Sequence, residues 1–190
     1  MTEWFSAVGR HRRPGRHGAP GEVGVVLGEI QPIVLIQFAA WPETLVRMGR
    51  VASKAAGVSE APGPGRVRHA GASSLLRVEP LKWWLVSRGS DMRLPQVASD
   101  VGAVLDLSHA RTLITVKGPR AEALLAHVMP IDFRLKAFDG AAVVSSAIHH
   151  VGVTVWRTDD RFDLLVPRSF AAAIWQLLDS VAQQYGLEIH

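Results

Sequence analysis

Two spacings of apolar residues alternate along this chain, and between them they predict most of its elements. Ile33 to Phe38 is a short apolar, β-branched run that predicts a strand. Trp41-Pro42 closes it, and Leu45, Met48, Ala52 and Ala55 then fall on one helical face, with Gly57 placed to end the helix in a left-handed turn. Ala61 to Gly65 is rich in Pro and Gly and predicts an exposed, mobile loop. Ser74 to Val78 and Lys82 to Val86 predict antiparallel strands around Glu79-Pro80, because Pro cannot donate within a paired strand. Arg88 to Asp91 ends the pair, and a short helix over Leu94 to Val101 and a strand over Ala103 to Leu107 complete the first half.

The second half approximately repeats that order. Arg111 to Val116 alternates as a strand, Gly118-Pro119 opens a helix with Pro at its first position, and Ala121, Leu124, Leu125 and Val128 supply the apolar face before Pro130 stops it. Asp139-Gly140 predicts a turn. Strands follow at Val143 to Ile148, His150 to Arg157 and Phe162 to Val166, with Asp159-Asp160 joining the last two. Ser169 is placed to cap a helix with Phe170, Ile174, Leu177, Leu178 and Val181 on one stripe, and a short strand runs from Leu187 to Ile189. The expectation is an α+β protein of two packed ferredoxin-like (split βαβ) subdomains with antiparallel sheets. Residues 1–29 are expected as a flexible Arg/Gly-rich tail, 30–108 as the first subdomain and 109–190 as the second.

Charge changes the picture less than the net value of +4 suggests. Four Arg stand against Glu3 through position 16, which leaves seventeen basic and sixteen acidic residues in the remainder. A near-neutral body argues against nucleic acid as a partner. The chain has no cysteine, so thiol nucleophiles, disulfides and thiolate metal sites are excluded. No apolar run approaches the ~20 residues of a membrane-spanning helix, so no membrane role is expected and a cytoplasmic address is.

Candidate chemistry is sparse. Asp106, Ser108 and His109 hold the residue types of a hydrolase triad, but strand neighbours point to opposite faces, so the expectation is a polar strand junction with Arg111 that bonds exposed backbone or a neighbouring subunit. His149 and His150 should likewise diverge, one inward and one outward, which makes them poor metal ligands. Gly118-Pro119 is a tight strand-to-helix turn rather than an anion site, because Pro119 removes a donor. Trp83 and Trp84 are consecutive on a strand, so one indole should face outward, and Trp156 alternates in the same way. An outward Trp is costly unless covered, which motivates a sheet face buried by a partner chain. No catalytic, cofactor-binding or metal-binding residue is assigned.

Asp106 to Thr112, Val116 to Ala121, Leu124-Leu125, Pro130 to Asp132, Phe138 to Gly140, His150-Val151, Phe162, and Val166 to Ala171 (with Arg168 and Ser169) followed by Trp175 stand in an order that resembles the gamma subunit of heterotetrameric sarcosine oxidase. Leu81 to Ser87 adds a looser match, and residues 1–29 match nothing. The resemblance implies a chain similar to a folate-binding domain of the glycine-cleavage aminomethyltransferases. It implies a non-catalytic subunit beside alpha, beta and delta subunits, in a complex that demethylates sarcosine oxidatively, passes the one-carbon unit to tetrahydrofolate and releases hydrogen peroxide. FAD, FMN, NAD, tetrahydrofolate and zinc are implied for those other subunits and none for this chain. A free-standing tetrahydrofolate-binding one-carbon protein is the alternative.

Overall fold

The computed structural model describes residues 5–89 and 92–190, so the last two residues of the turn expected at Arg88 to Asp91 lie outside it. The chain forms two compact units, one built from residues up to Gln31, Arg111–Gly140 and Ser145–His190, the other from Pro32–Ala110 and Ala141–Val144. Both are mixtures of helix and mainly antiparallel sheet, as the periodicities predict.

The second unit holds a five-stranded sheet. Its strands are β3 (Ile33–Ala40), β4 (Val67–Ala70), β5 (Ser73–Glu79), β6 (Lys82–Arg88) and β7 (Gly102–Asp106), ordered β4-β5-β6-β3-β7. β3 connects to the β4–β5 hairpin through helix α1 (Leu45–Ala56), and β6 lies between β3 and β5, which is the split βαβ arrangement. Met48, Ala52 and Ala56 of α1 bury against Ile36, Phe38, Leu75, Trp83 and Leu85. Gly57 terminates the helix at φ 73°, its N–H returning to the Lys54 carbonyl.

One expectation fails in this unit and another holds only in part. Residues 92–98 contain no helix. Pro95, Val97, Ser99 and Asp100 are poor helix formers in a segment too short to nucleate by itself. Outside bonds also claim its carbonyls: Trp41 Nε1 donates to Ser99 O at 3.0 Å and Thr44 Oγ1 to Val101 O at 2.6 Å. The Ala61 to Gly65 loop is exposed at Gly63, Pro64 and Gly65 as expected, but it is anchored: Pro62 is buried and accepts from Trp83 Nε1 at 3.2 Å, and Gly65 N donates to Arg77 O at 3.1 Å.

The first unit is a seven-stranded sheet. Its strands are β1 (Gly15–His17), β2 (Val25–Ile30), β8 (Arg111–Lys117), β9 (Val143–Ile148), β10 (Val151–Thr158), β11 (Arg161–Pro167) and β12 (Leu187–Ile189), ordered β1-β12-β2-β8-β11-β10-β9. Helices α2 (Ala121–Val128) and α3 (Ala171–Ala182) connect them. The β8-α2-β10 crossover is split by β11 in the expected way.

The segment expected to be a tail is instead part of this sheet. β2 lies between β12, to which it runs parallel, and β8, to which it runs antiparallel, with Val25 and Leu27 fully buried. Residues 6–19 are held by polar contacts: Ala7 N and Thr112 Oγ1 each donate to the Glu29 carboxylate at 3.0 Å, Trp175 Nε1 to His11 O at 3.1 Å, and Arg13 pairs with Asp179 at 3.1 Å. The Arg residues made this stretch look solvated, but a strand inserted between two others needs only a few inward apolar positions, and Val25 and Leu27 supply them.

Candidate functional site

The residues singled out by the sequence do not converge on one site. Ser108 sits just past the end of β7 and is buried. Its hydroxyl donates to Asp106 Oδ1 at 2.5 Å and accepts the Leu35 N–H at 3.0 Å, while Leu107 N donates to Leu35 O at 2.7 Å. The β3–β7 ladder stops at Ile36 opposite Asp106, so the serine oxygen stands in for the next backbone acceptor. Asp106 Oδ1 also accepts the Ser108 N–H at 2.8 Å, which closes a local turn. The Ser108 hydroxyl is buried and committed to the Asp106 carboxylate and the Leu35 N–H, and His109 is exposed on the turn. Arg111 opens β8 half-buried, and burial lowers its pKa.

Gly118 and Pro119 form the turn before α2, which begins at Ala121 with Arg120 at the N-cap, so Pro119 precedes the helix instead of occupying its first position. Gly118 has φ 109°, and a Cβ there would stand 2.6 Å from the Gly24 carbonyl. Only glycine fits that backbone without strain. Pro119 and Arg120 also line an open cavity of about 480 Å³ with Glu22, Gly24 and Tyr185. Arg168 and Ser169 lie in a 3-10 turn after β11, where Arg168 donates to the Phe5 carbonyl. Ser169 is exposed and caps nothing: the N-cap position of α3 is Phe170, which makes no side-chain cap bond.

The expectation of outward indoles is overturned. Trp84 is 8% and Trp156 1% exposed in this chain by itself. Trp84 Nε1 donates to Gln37 Oε1 at 3.0 Å, and Trp83 is buried as well. Alternation holds along β6, but both faces of that strand are covered, so period-two spacing does not separate core from solvent here. Among the described residues the exposed indole is Trp41, at 52%. His149 and His150 are both exposed, forming the two-residue turn between β9 and β10 with His149 at φ 52°. His is among the residues that tolerate that region, and a turn places neither ring in a core.

Among the described residues no three His, Asp or Glu side chains gather as metal ligands. Nor is any described helix long and apolar enough to cross a membrane. Sequence reasoning missed two features. Glu29 joins Ala7, Ser6 and Thr112, and Arg77 lies over the Trp83 ring at 4.8 Å beside a second cavity. Both depend on tertiary neighbours, and neither residue lies in a motif.

No family model matches the chain. It is 27% identical over 88 residues to the sarcosine oxidase subunit gamma of Corynebacterium sp. (strain P-1), covering 45% of this chain and 43% of that one. It is 31% identical over 117 residues to an aminomethyltransferase of Herpetosiphon aurantiacus, covering 57% of this chain and 32% of the relative. The matches span less than half the length of these curated relatives. Among solved structures, a chain of the heterotetrameric sarcosine oxidase of Corynebacterium sp. U-96 superposes with a TM-score of 0.76 at 22% identity, covering 89% of this chain and 88% of that one. In sequence this chain is therefore similar to the sarcosine oxidase gamma subunits, and over most of its length it shares the fold of a chain of the heterotetrameric enzyme.

Proposed function

We propose that this chain serves as the gamma subunit of a heterotetrameric sarcosine oxidase, contributing to assembly rather than to chemistry. The observation that carries the proposal is mutual coverage. Nearly nine tenths of this chain and of a chain in the Corynebacterium oxidase share one fold, whereas the match to the aminomethyltransferase accounts for 32% of that protein. A chain that corresponds to a whole subunit, and to one part of an enzyme, fits a subunit role better than a free-standing one.

On this reading the alpha, beta and delta subunits are its partners, in the cytoplasm. They hold the FAD, FMN, NAD, tetrahydrofolate and zinc, and the complex removes the N-methyl group of sarcosine to leave glycine. The one-carbon unit passes to tetrahydrofolate, and dioxygen is reduced to hydrogen peroxide. The polar network around Ser108 supports a non-catalytic role, because it is used up in joining strands. Buried Trp84 and Trp156 and committed Ser108 offer nothing to a partner, so the motif residues left to form an interface are His109, Gly118, Pro119 and Ser169, which are exposed, and the half-buried Arg111 and Arg168.

The test is to purify the tagged chain from its own cells. Co-purification of flavin-bearing large subunits with sarcosine-dependent peroxide release is expected. Recovery of the chain by itself, with tetrahydrofolate bound to it, would sink the proposal in favour of a free-standing one-carbon protein, the reading that the aminomethyltransferase relative favours.

A further inference from the structure

In each unit an arginine sits over an aromatic ring of the sheet, Arg77 over Trp83 and Arg157 over Phe162, and among the described residues Arg157 has a counter-ion while Arg77 does not. Arg157 stacks on Phe162 at 4.3 Å and is neutralised by Glu122 at 2.9 Å, with a further bond to Phe133 O. Arg77 stacks on Trp83 at 4.8 Å, but the bond it makes is to a neutral carbonyl, Pro80 O, at 2.6 Å. Its Nε is buried without a partner, and burial lowers its pKa. No carboxylate among the described residues pairs with it.

Arg77 and Trp83 line a cavity of about 370 Å³ whose other walls come from α1, including Arg50, Leu45 and the 68% exposed Val46, and from residues 59–61 of the loop that follows it. Arg50 also lacks a carboxylate partner among the described residues. The acidic residue at the cavity, Glu60, is engaged by Arg68, so the lining retains positive charge even when Glu60 is counted. A guanidinium presents its N–H groups as a planar fork, and a carboxylate is the anion whose geometry matches it. The indole, Leu45 and Val46 supply an apolar wall beside those donors, and the volume suits a small ligand or one side chain.

We infer that the cavity between α1 and the Trp83–Arg77 stack is a binding site for a carboxylate attached to an apolar chain, with Arg77 and Arg50 as its cationic ligands. The same chemistry can come from a free aliphatic acid or from the C-terminal residue of another polypeptide. The inference is independent of the proposed subunit role, since the test uses the isolated full chain.

Calorimetric titration with hexanoate, and with hexan-1-ol as the uncharged analogue, reads the site directly. The Trp83 indole N–H resonance reports the position of binding. Saturable binding of hexanoate and none of hexanol is expected. Arg77→Met, which keeps the stem over the indole, and Arg50→Gln, on the helix surface, should each weaken hexanoate at least about tenfold, as expected for loss of a charge-assisted bond. Arg47→Gln, outside the cavity, should leave it unchanged. Arg50→Gln keeps the test decisive if Arg77→Met fails to fold. A tetrapeptide ending in leucine, as free acid against amide, separates the two sources: acid binding tighter than hexanoate assigns a polypeptide terminus, and weaker binding assigns a free acid. Equal binding of hexanol, no saturation in the millimolar range, or an Arg50→Gln affinity within twofold of the unaltered chain overturns the inference.

Discussion

Replacing Ser108 by alanine tests whether the Asp106-to-Arg111 motif is structural. The substitution removes the acceptor of the Leu35 N–H, and Leu35 is fully buried, so water cannot replace the lost oxygen without opening the end of β3. An orphaned buried donor costs about 1–3 kcal/mol. Asp106 loses one donor too, but it is exposed and retains the Ser108 N–H, so its share is small. Taking about 2 kcal/mol, a chain of this size should melt about 4–8 °C lower. Thermal denaturation by circular dichroism measures this, and amide hydrogen exchange should show Leu35 losing protection while Val25 and Leu27 of the other unit do not. A second variant, Asp106→Ala, should be milder, and the double variant should cost less than the sum because the two side chains share one bond. A melting shift below about 1 °C in Ser108→Ala, with Leu35 still protected, would refute the reading of the serine as a backbone surrogate.

Four further outcomes follow from the same structure. Gly118→Ala should destabilise by about 1–3 kcal/mol, because it forces a side chain into φ 109° against the Gly24 carbonyl, and chemical denaturation measures it. Deleting residues 1–31 should abolish cooperative unfolding of the first unit by removing β2 from between β12 and β8, whereas a free tail would be dispensable; melting of the truncated chain decides. With Trp4, which lies outside the described residues, replaced by Phe as background, Trp41→Phe should remove most iodide-quenchable tryptophan emission, since Trp41 is exposed and Trp83, Trp84, Trp156 and Trp175 are buried. Asp132 should titrate at about 2, held down by its hydrogen bonds from Arg134, and Arg134→Gln should return it toward the ordinary carboxylate range by carbon-13 NMR. A carboxyl depressed in the folded state favours folding above its unfolded pKa, and that contribution fades as pH falls toward 2.

Local patterns were enough for the elements whose causes are local. The α1 stripe ending at Gly57, the β5–β6 turn at Pro80 and the two-residue Asp159-Asp160 hairpin each follow from a few neighbouring residues, and the structure has them where the sequence places them. The order of motifs from Asp106 to Ala171 likewise carried the relationship to sarcosine oxidase gamma subunits before any coordinates. What tertiary structure decided are the long-range matters. Val25 and Leu27 belong to a short apolar run that follows an Arg-rich and Gly-rich segment, and its place between β12 and β8 is what makes it a buried strand. Leu94 to Val101 has a helical pattern, yet bonds from Trp41 and Thr44 hold its carbonyls elsewhere. Alternation on β6 and β10 predicted outward indoles, but a strand covered on both faces has no outward side. Spacing along a chain reports which residues share a face. Whether that face meets water or protein, and which side chain lacks its counter-ion, depends on residues distant in sequence, as with Arg77 and its absent carboxylate.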